Sequence, residues 1–177
     1  MITYILASLI GIIILVADQV SKYWVANNLL MSESYTFLPK VIDITYIHND
    51  GAAWGMLGGH TWFLLSMTLV VMLVCLALLL KYGVKDKLMF WAIILVLSGG
   101  LGNMIDRIFR GGRVIDFLHF EFWPTFPVFN IADCAIVVGA GLLMLYFFIG
   151  IIEESRQKQQ AIMQPLQTQE NEQDEDV

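Results

Sequence analysis

Charge is scarce in this sequence. Of its 177 residues only 15% are Asp, Glu, Lys or Arg, while 58% are hydrophobic; a soluble domain runs roughly half apolar and a quarter charged. The deficit argues against a water-facing globule and for lipid as the solvent. Cysteine is scarcer still. Cys75 and Cys134 are the two present, with no CxxC or histidine-spaced pair. That excludes a disulfide framework or a cysteine metal site and leaves two small buried hydrophobes. Nothing points to nucleic acid, a metal or another cofactor. The first apolar run lacks a basic leading region and a clear small-residue cleavage site before Asp18, so it reads as a retained helix rather than a removable signal peptide.

The formal charge of −6 is unevenly placed. Residues 153–177 carry seven acids and two bases, a net −5, and residues 1–152 a net −1. The acidity belongs to a polar, Gln-rich tail with too little apolar content to fold alone, expected to be disordered and cytoplasmic.

A hydrocarbon core of about 30 Å needs roughly 20 apolar helical residues. Four segments qualify, 2–20, 62–80, 88–105 and 132–152, within one membrane domain spanning 1–152. The predicted fold is an all-α membrane protein of four transmembrane helices. A short turn at 81–87 joins the middle pair, whereas 21–61 and 106–131 are long links. Partial alternation in Val41–His48 and Arg113–Phe122 predicts short strands there, punctuated by Pro39, Pro124 and Pro127. Links this long in a compact protein are usually functional.

Antiparallel threading brings the end of helix 1, the start of helix 2, the end of helix 3 and the start of helix 4 to one membrane face. That face receives Asp18, Lys22, His60, Asn103, Asp106, Arg107, Asp116, Asn130 and Asp133. Trp24, Trp54, Trp62 and Trp123 fall there too, as an interfacial belt does. Bases divide five against five between the two faces, so charge counting does not orient the chain. The Lys81–Lys87 turn is taken as cytoplasmic because bases on the other face sit beside acids.

Several constellations could carry chemistry. Asp18 and Lys22, four apart, share a helix face and read either as a structural ion pair at the membrane boundary or as part of a site. Ser21 and Lys22 are adjacent and so point about 100° apart on a helix, poorly placed for a serine–lysine protease. The stretch His48–Gly55 is a turn or a place for close backbone approach to a ligand, with Asn49 offering donor and acceptor. In Gly99–Arg107 the glycines permit tight helix contact, and Asn103 and Asp106 share a face; packing with an Asp106–Arg107 pair and a functional role stand side by side. A phosphate loop is excluded there because no strand precedes it.

The central pair is Asp116, in an apolar strand-like segment, and Asp133, opening the last helix where the helix dipole favours its anion. Two carboxylates in a partly dry site do not both ionise easily. One holds a proton while the other acts as base, so together they activate water and protonate a leaving amine. A proton relay is the competing use.

The ordered set Asp18-Gln19-x-x-Lys22, Asn49-x-Gly51-Ala52-Ala53, Gly102-Asn103-x-x-Asp106-Arg107, Val114-Ile115-Asp116-Phe117 and Asn130-x-Ala132-Asp133 resembles the lipoprotein signal peptidase (signal peptidase II) family over about residues 2–150. The resemblance implies an aspartic endopeptidase of the bacterial inner membrane. Such an enzyme removes the signal peptide from diacylglyceryl-modified prolipoproteins by cleaving before the lipidated cysteine. It implies Asp116 and Asp133 as the catalytic dyad, and Asn49, Asn103, Arg107 and Asn130 lining or bracing the site. Asp18, Lys22 and Asp106 are implied as structural support. It further implies a small β-cradle and a short amphipathic helix, supplied by extracytoplasmic loops 28–59 and 106–131 (108–128 in the second). The active site then faces outward, no metal is needed, the enzyme is a monomer and globomycin inhibits it. Two departures stand out: Trp54 where phenylalanine is common, and Cys134 where serine is common. An ion-coupled transporter using the same carboxylates fits less well, since the polar groups gather at one end and no paired repeats occur. A non-enzymatic scaffold would leave both aspartates replaceable.

Overall fold

The computed structural model describes the backbone of residues 1–175 and the side chains of residues 1–161. Its elements run α1 (Ile2–Asn28), β1 (Ser34–Leu38), β2 (Ile42–Asn49), a 3-10 turn (Ala53–Gly55), α2 (Thr61–Tyr82), α3 (Lys87–Phe109), β3 (Val114–Phe120) and α4 (Ile131–Glu175). All four helices are long and apolar enough to cross a membrane. They are not equal. In α3 the most apolar window is 56% buried, against 11% in each of the others. Helix α3 is therefore the hub, and the others turn most of their apolar surface outward, where lipid is the fitting solvent.

Small residues let α3 and α4 approach. A Cβ on Gly99 would run into the Ala132 carbonyl oxygen. One on Gly102 would stand 2.8 Å from Asp18 Oδ2 and 3.2 Å from the Ala132 Cβ. Dispersion contacts and small-residue seams of this kind hold helices together where lipid supplies no hydrophobic drive.

The strands form one antiparallel sheet in the order β1-β2-β3. Ile47 pairs with Asp116 and Asn49 with Val114, in one register beyond an irregularity between Ile44 and Ile47. The sheet sits on the last turns of α1 through a cluster of Val25, Tyr46, Ile115 and Phe117. Burying Ile115 and Phe117 contributes on the order of 1.5–3 kcal/mol each.

Four expectations change. Strand β1 lies within the 28–59 loop that the resemblance gives to the β-cradle but outside the two segments whose alternation predicts strands; all its residues are exposed, so it carries no alternating signal. The short amphipathic helix implied by the resemblance is absent between α1 and α2 among the described residues, where a 3-10 turn stands instead. Left-handed backbone at Trp54, Gly55, Leu57 and Gly59 keeps that segment from winding into an α-helix. Cys75 is buried as expected, but Cys134 is exposed because it lies on the groove side of α4. Helix α4 also continues through the polar residues after 152, where disorder is expected. Among the described side chains Lys158 and Glu154 pair there at 2.7 Å on its exposed surface. The end of that tail, 176–177, lies outside the described residues.

Candidate active site

The site begins with how α4 starts. Asn130 immediately precedes the helix, and Asp133 lies in its first turn. The Asp133 N–H donates to Asn130 Oδ1 at 2.9 Å, and the Asn130 N–H donates to Asp133 Oδ2 at 3.1 Å. This reciprocal pair is a capping box, and it satisfies two otherwise orphaned helix-end donors. It also fixes one oxygen of the Asp133 carboxylate. Asn103, on α3, donates Nδ2 to the other, Oδ1, at 2.7 Å.

Asp116 is delivered by the sheet. Its register opposite Ile47 puts Asn49 one diagonal step away on the same face, and Asn49 Nδ2 donates to Asp116 Oδ2 at 2.9 Å. Asn130 Nδ2 donates to Asp116 Oδ1 at 2.6 Å. One residue, Asn130, thus binds Asp116 with its side chain and Asp133 with its backbone. Asp116 is nearly fully buried. Burial, and then the negative charge of Asp133, push its carboxyl up to about 7, against the opposing pull of the Asn49 and Asn130 hydrogen bonds.

Behind the pair lies a dry charged cluster. Lys22 is fully buried and donates to Asp18 Oδ2 at 2.9 Å, Asp106 Oδ2 at 3.1 Å and Asn103 Oδ1 at 3.0 Å. Asp18 Oδ1 accepts the Ala132 N–H at 2.9 Å, so α1 helps cap α4. Asp106 accepts the Ile115 N–H at 3.2 Å and pairs with Arg110 Nε at 3.2 Å, tying α3 to β3. The Asp106–Arg107 pair considered from the sequence does not form; Arg107 Nη2 instead donates to the Gly51 carbonyl at 2.8 Å. Both members of the Asp18–Lys22 pair lie in the interior, so neither snorkels to a boundary.

Asp116 and Asp133 open onto a groove of about 730 Å³. Asn49, Asn103 and Arg107 line it with them, and Trp54, Phe126, Phe129 and Val137 are among its apolar walls. Trp54 is exposed, takes a left-handed backbone with φ of 56°, and meets Phe126 edge-on at 6.0 Å. An apolar groove with a few convergent polar groups is the usual form of a site for an apolar ligand. Among the described residues no group of three or more His, Cys, Asp or Glu side chains could hold a metal ion.

The signal peptidase (SPase) II family matches residues 10–149. The chain belongs to the signal peptidase II family. It is 40% identical over 142 residues to the lipoprotein signal peptidase of Bacillus pumilus (strain SAFR-032), covering 80% of this chain and 91% of that protein. It is 41% identical over 154 residues to the lipoprotein signal peptidase of Lactococcus lactis subsp. lactis (strain IL1403), covering 86% and 98%. A bacterial membrane enzyme determined by the in meso method at 2.3 Å resolution superimposes with a TM-score of 0.75 at 33% identity, covering 80% of this chain and 87% of that one. A second, at 1.9 Å, gives 0.72 at 33% identity. As a member of this family the chain is a peptidase and a multi-pass membrane protein of bacterial type.

Within this signal peptidase II fold all nine residues singled out in the sequence come together. Five line the groove, and Asn130, Asp18, Lys22 and Asp106 stand directly behind them. His60, threaded to the same face, is exposed and takes no part in the cluster; its ring nitrogen lies 3.1 Å from the Gly58 carbonyl. Gln19, which the sequence does not mark as a site residue, donates to Asp18 Oδ2 at 3.1 Å and Asp106 Oδ1 at 3.2 Å. Its place beside Asp18 in the first motif was the available signal.

Proposed function

We propose that the chain is an aspartic endopeptidase that cleaves the signal peptide from diacylglyceryl-modified prolipoproteins, just before the lipidated cysteine. The observation that carries this reading is the double hold of Asn130. Its amide donates to Asp116 Oδ1 at 2.6 Å and its backbone N–H to Asp133 Oδ2 at 3.1 Å, so two carboxylates converge at the mouth of one apolar groove. In the reaction Asp133, held as an anion by the helix start and by Asn103, takes a proton from water as the water oxygen attacks the scissile carbonyl. Asp116, raised to about 7 by burial and by the charge of Asp133, holds the other proton. It gives that proton to the leaving nitrogen as the C–N bond breaks. The next cycle begins when the proton gained by Asp133 has left and Asp116 has taken up a new one. Arg107 lends positive charge beside both carboxylates. The aromatic and aliphatic walls suit an apolar signal peptide and its neighbouring acyl chains.

The site faces the extracytoplasmic side of the inner membrane in this proposal, with the Lys81–Lys87 turn in the cytoplasm. The enzyme works as a monomer and without a metal. Mass spectrometry of a purified diacylglyceryl-prolipoprotein after incubation with the purified enzyme tests the reading. Loss of the whole signal peptide, leaving lipidated cysteine as the first residue, is expected. An intact precursor, or cleavage at another bond, would overturn it.

A further inference from the structure

Lys22 touches neither carboxylate of the pair and lines no part of the groove, yet it is completely buried beside them. A buried ammonium is costly unless every N–H finds an acceptor. Lys22 has three and all are used: Asp18 Oδ2 at 2.9 Å, Asp106 Oδ2 at 3.1 Å and Asn103 Oδ1 at 3.0 Å. The carboxylates supply charge balance. The third bond goes to a neutral amide whose far end, Nδ2, donates to Asp133 Oδ1 at 2.7 Å. An amide fits its site in two orientations. Turned over, Asn103 would point its oxygen at Asp133, and two facing acceptor oxygens need a proton between them. Asn130 Nδ2 also approaches Asn103 Oδ1, at 3.2 Å, but that amine is shared with the Ile115 carbonyl at 3.4 Å and Asp116 Oδ1 at 2.6 Å. Lys22 is therefore the charged donor that sets the amide.

We propose that Lys22 is a positioning residue: it locks the Asn103 amide with its N–H bonds towards Asp133 and so keeps Asp133 the proton acceptor of the pair. This rests on the dyad reading above and adds to it a determinant of which carboxylate is the base. The charged and titratable groups packed around Asp133 are Asp18 and Lys22 from α1, Asp106 and Arg107 from α3 and Asp116 from β3, with Cys134 beside it on α4. Of the cations, Arg107 is directed to the Gly51 carbonyl, so the orientation of Asn103 falls to Lys22.

Two variants test this, Lys22→Met and the double variant Lys22→Met/Asp106→Asn. The second removes the ammonium and one acid together, leaving Asp18 and Arg110 as balancing charges. Folding is checked by thermal denaturation, and cleavage of a diacylglyceryl-prolipoprotein is followed across pH. In both variants the acid limb of kcat/KM is expected to move up by about one pH unit. At a pH on that acid limb, kcat should fall about tenfold while KM stays within roughly twofold. A wild-type acid limb in Lys22→Met overturns the proposal. So does a limb displaced in the single variant but restored in the double, since that makes Lys22 a charge balancer only. Failure of both to fold reduces it to a structural ion and overturns the proposal too. Asp116→Asn and Asp133→Asn run alongside: cleavage by either breaks the dyad reading itself, whereas two inactive Asp variants with an undisplaced Lys22→Met profile break only this inference.

Discussion

Asn130 donates its side-chain amide to Asp116 over 2.6 Å while the same residue caps the helix that carries Asp133. Replacing it separates two effects. Asn130→Ala removes the amide from Asp116 and the acceptor from the Asp133 N–H. Loss of the cap is expected to cost about 1 kcal/mol of stability, and loss of the amide to slow cleavage by on the order of a hundredfold, a few kcal/mol of barrier. Thermal melting in detergent and initial cleavage rates measure the two separately. Asn130→Ser keeps a capping oxygen, so it should recover the stability and not the rate.

In the proposed mechanism the raised Asp116 carboxyl sets the alkaline side of the pH profile. A carboxylic acid that must hold a proton to donate it is active below its own titration point, which lies at about 7 here. Cleavage should therefore decline as pH rises through about 7. The Asn49 hydrogen bond pulls that value down by favouring the anion. Asn49→Ala is then expected to move the alkaline limb upward by roughly one pH unit, the weight of one hydrogen bond to a charged group. A limb that stays put or moves down contradicts this assignment of the proton.

Gly102 is the point where α1, α3 and α4 meet. Gly102→Ala places a methyl 2.8 Å from Asp18 Oδ2, the oxygen that accepts from Lys22 and Gln19. The expected cost is about 1–3 kcal/mol, as for other overpacked sites. It is read as a lowered melting temperature, with Gly141→Ala, which has open space around it, as the control that should change little.

Much of this architecture was legible in the sequence, for identifiable physical reasons. Long apolar runs mark the four helices whatever else the chain does. Asp116 and Asp133 stood out because ionisable residues in apolar segments need a reason to be there. The Asn130-x-x-Asp133 spacing also carries its own helix start. Boundaries were less visible. Helix α1 was expected to stop at Val20, but it runs to Asn28 because Asp18 and Lys22 are interior groups and Val25 beyond them packs under the sheet. Strand β1 was invisible because its pairing with β2 is a backbone matter and its side chains face outward. The partners of Arg107 and Asp106 could not be read from their adjacency. On a helix neighbouring residues point apart, and Arg107 bonds the loop at Gly51 while Asp106 turns inward to Lys22.

In the proposed mechanism Asp116 and Asp133 perform the hydrolysis as a pair. Its most direct test is single-turnover cleavage of a purified diacylglyceryl-prolipoprotein by Asp116→Asn and Asp133→Asn, each shown to be folded by its melting curve. Each variant is expected to lose at least about a thousandfold in rate, since neither carboxylate can be both acid and base. Cleavage within about tenfold of the unaltered enzyme by either folded variant would contradict it.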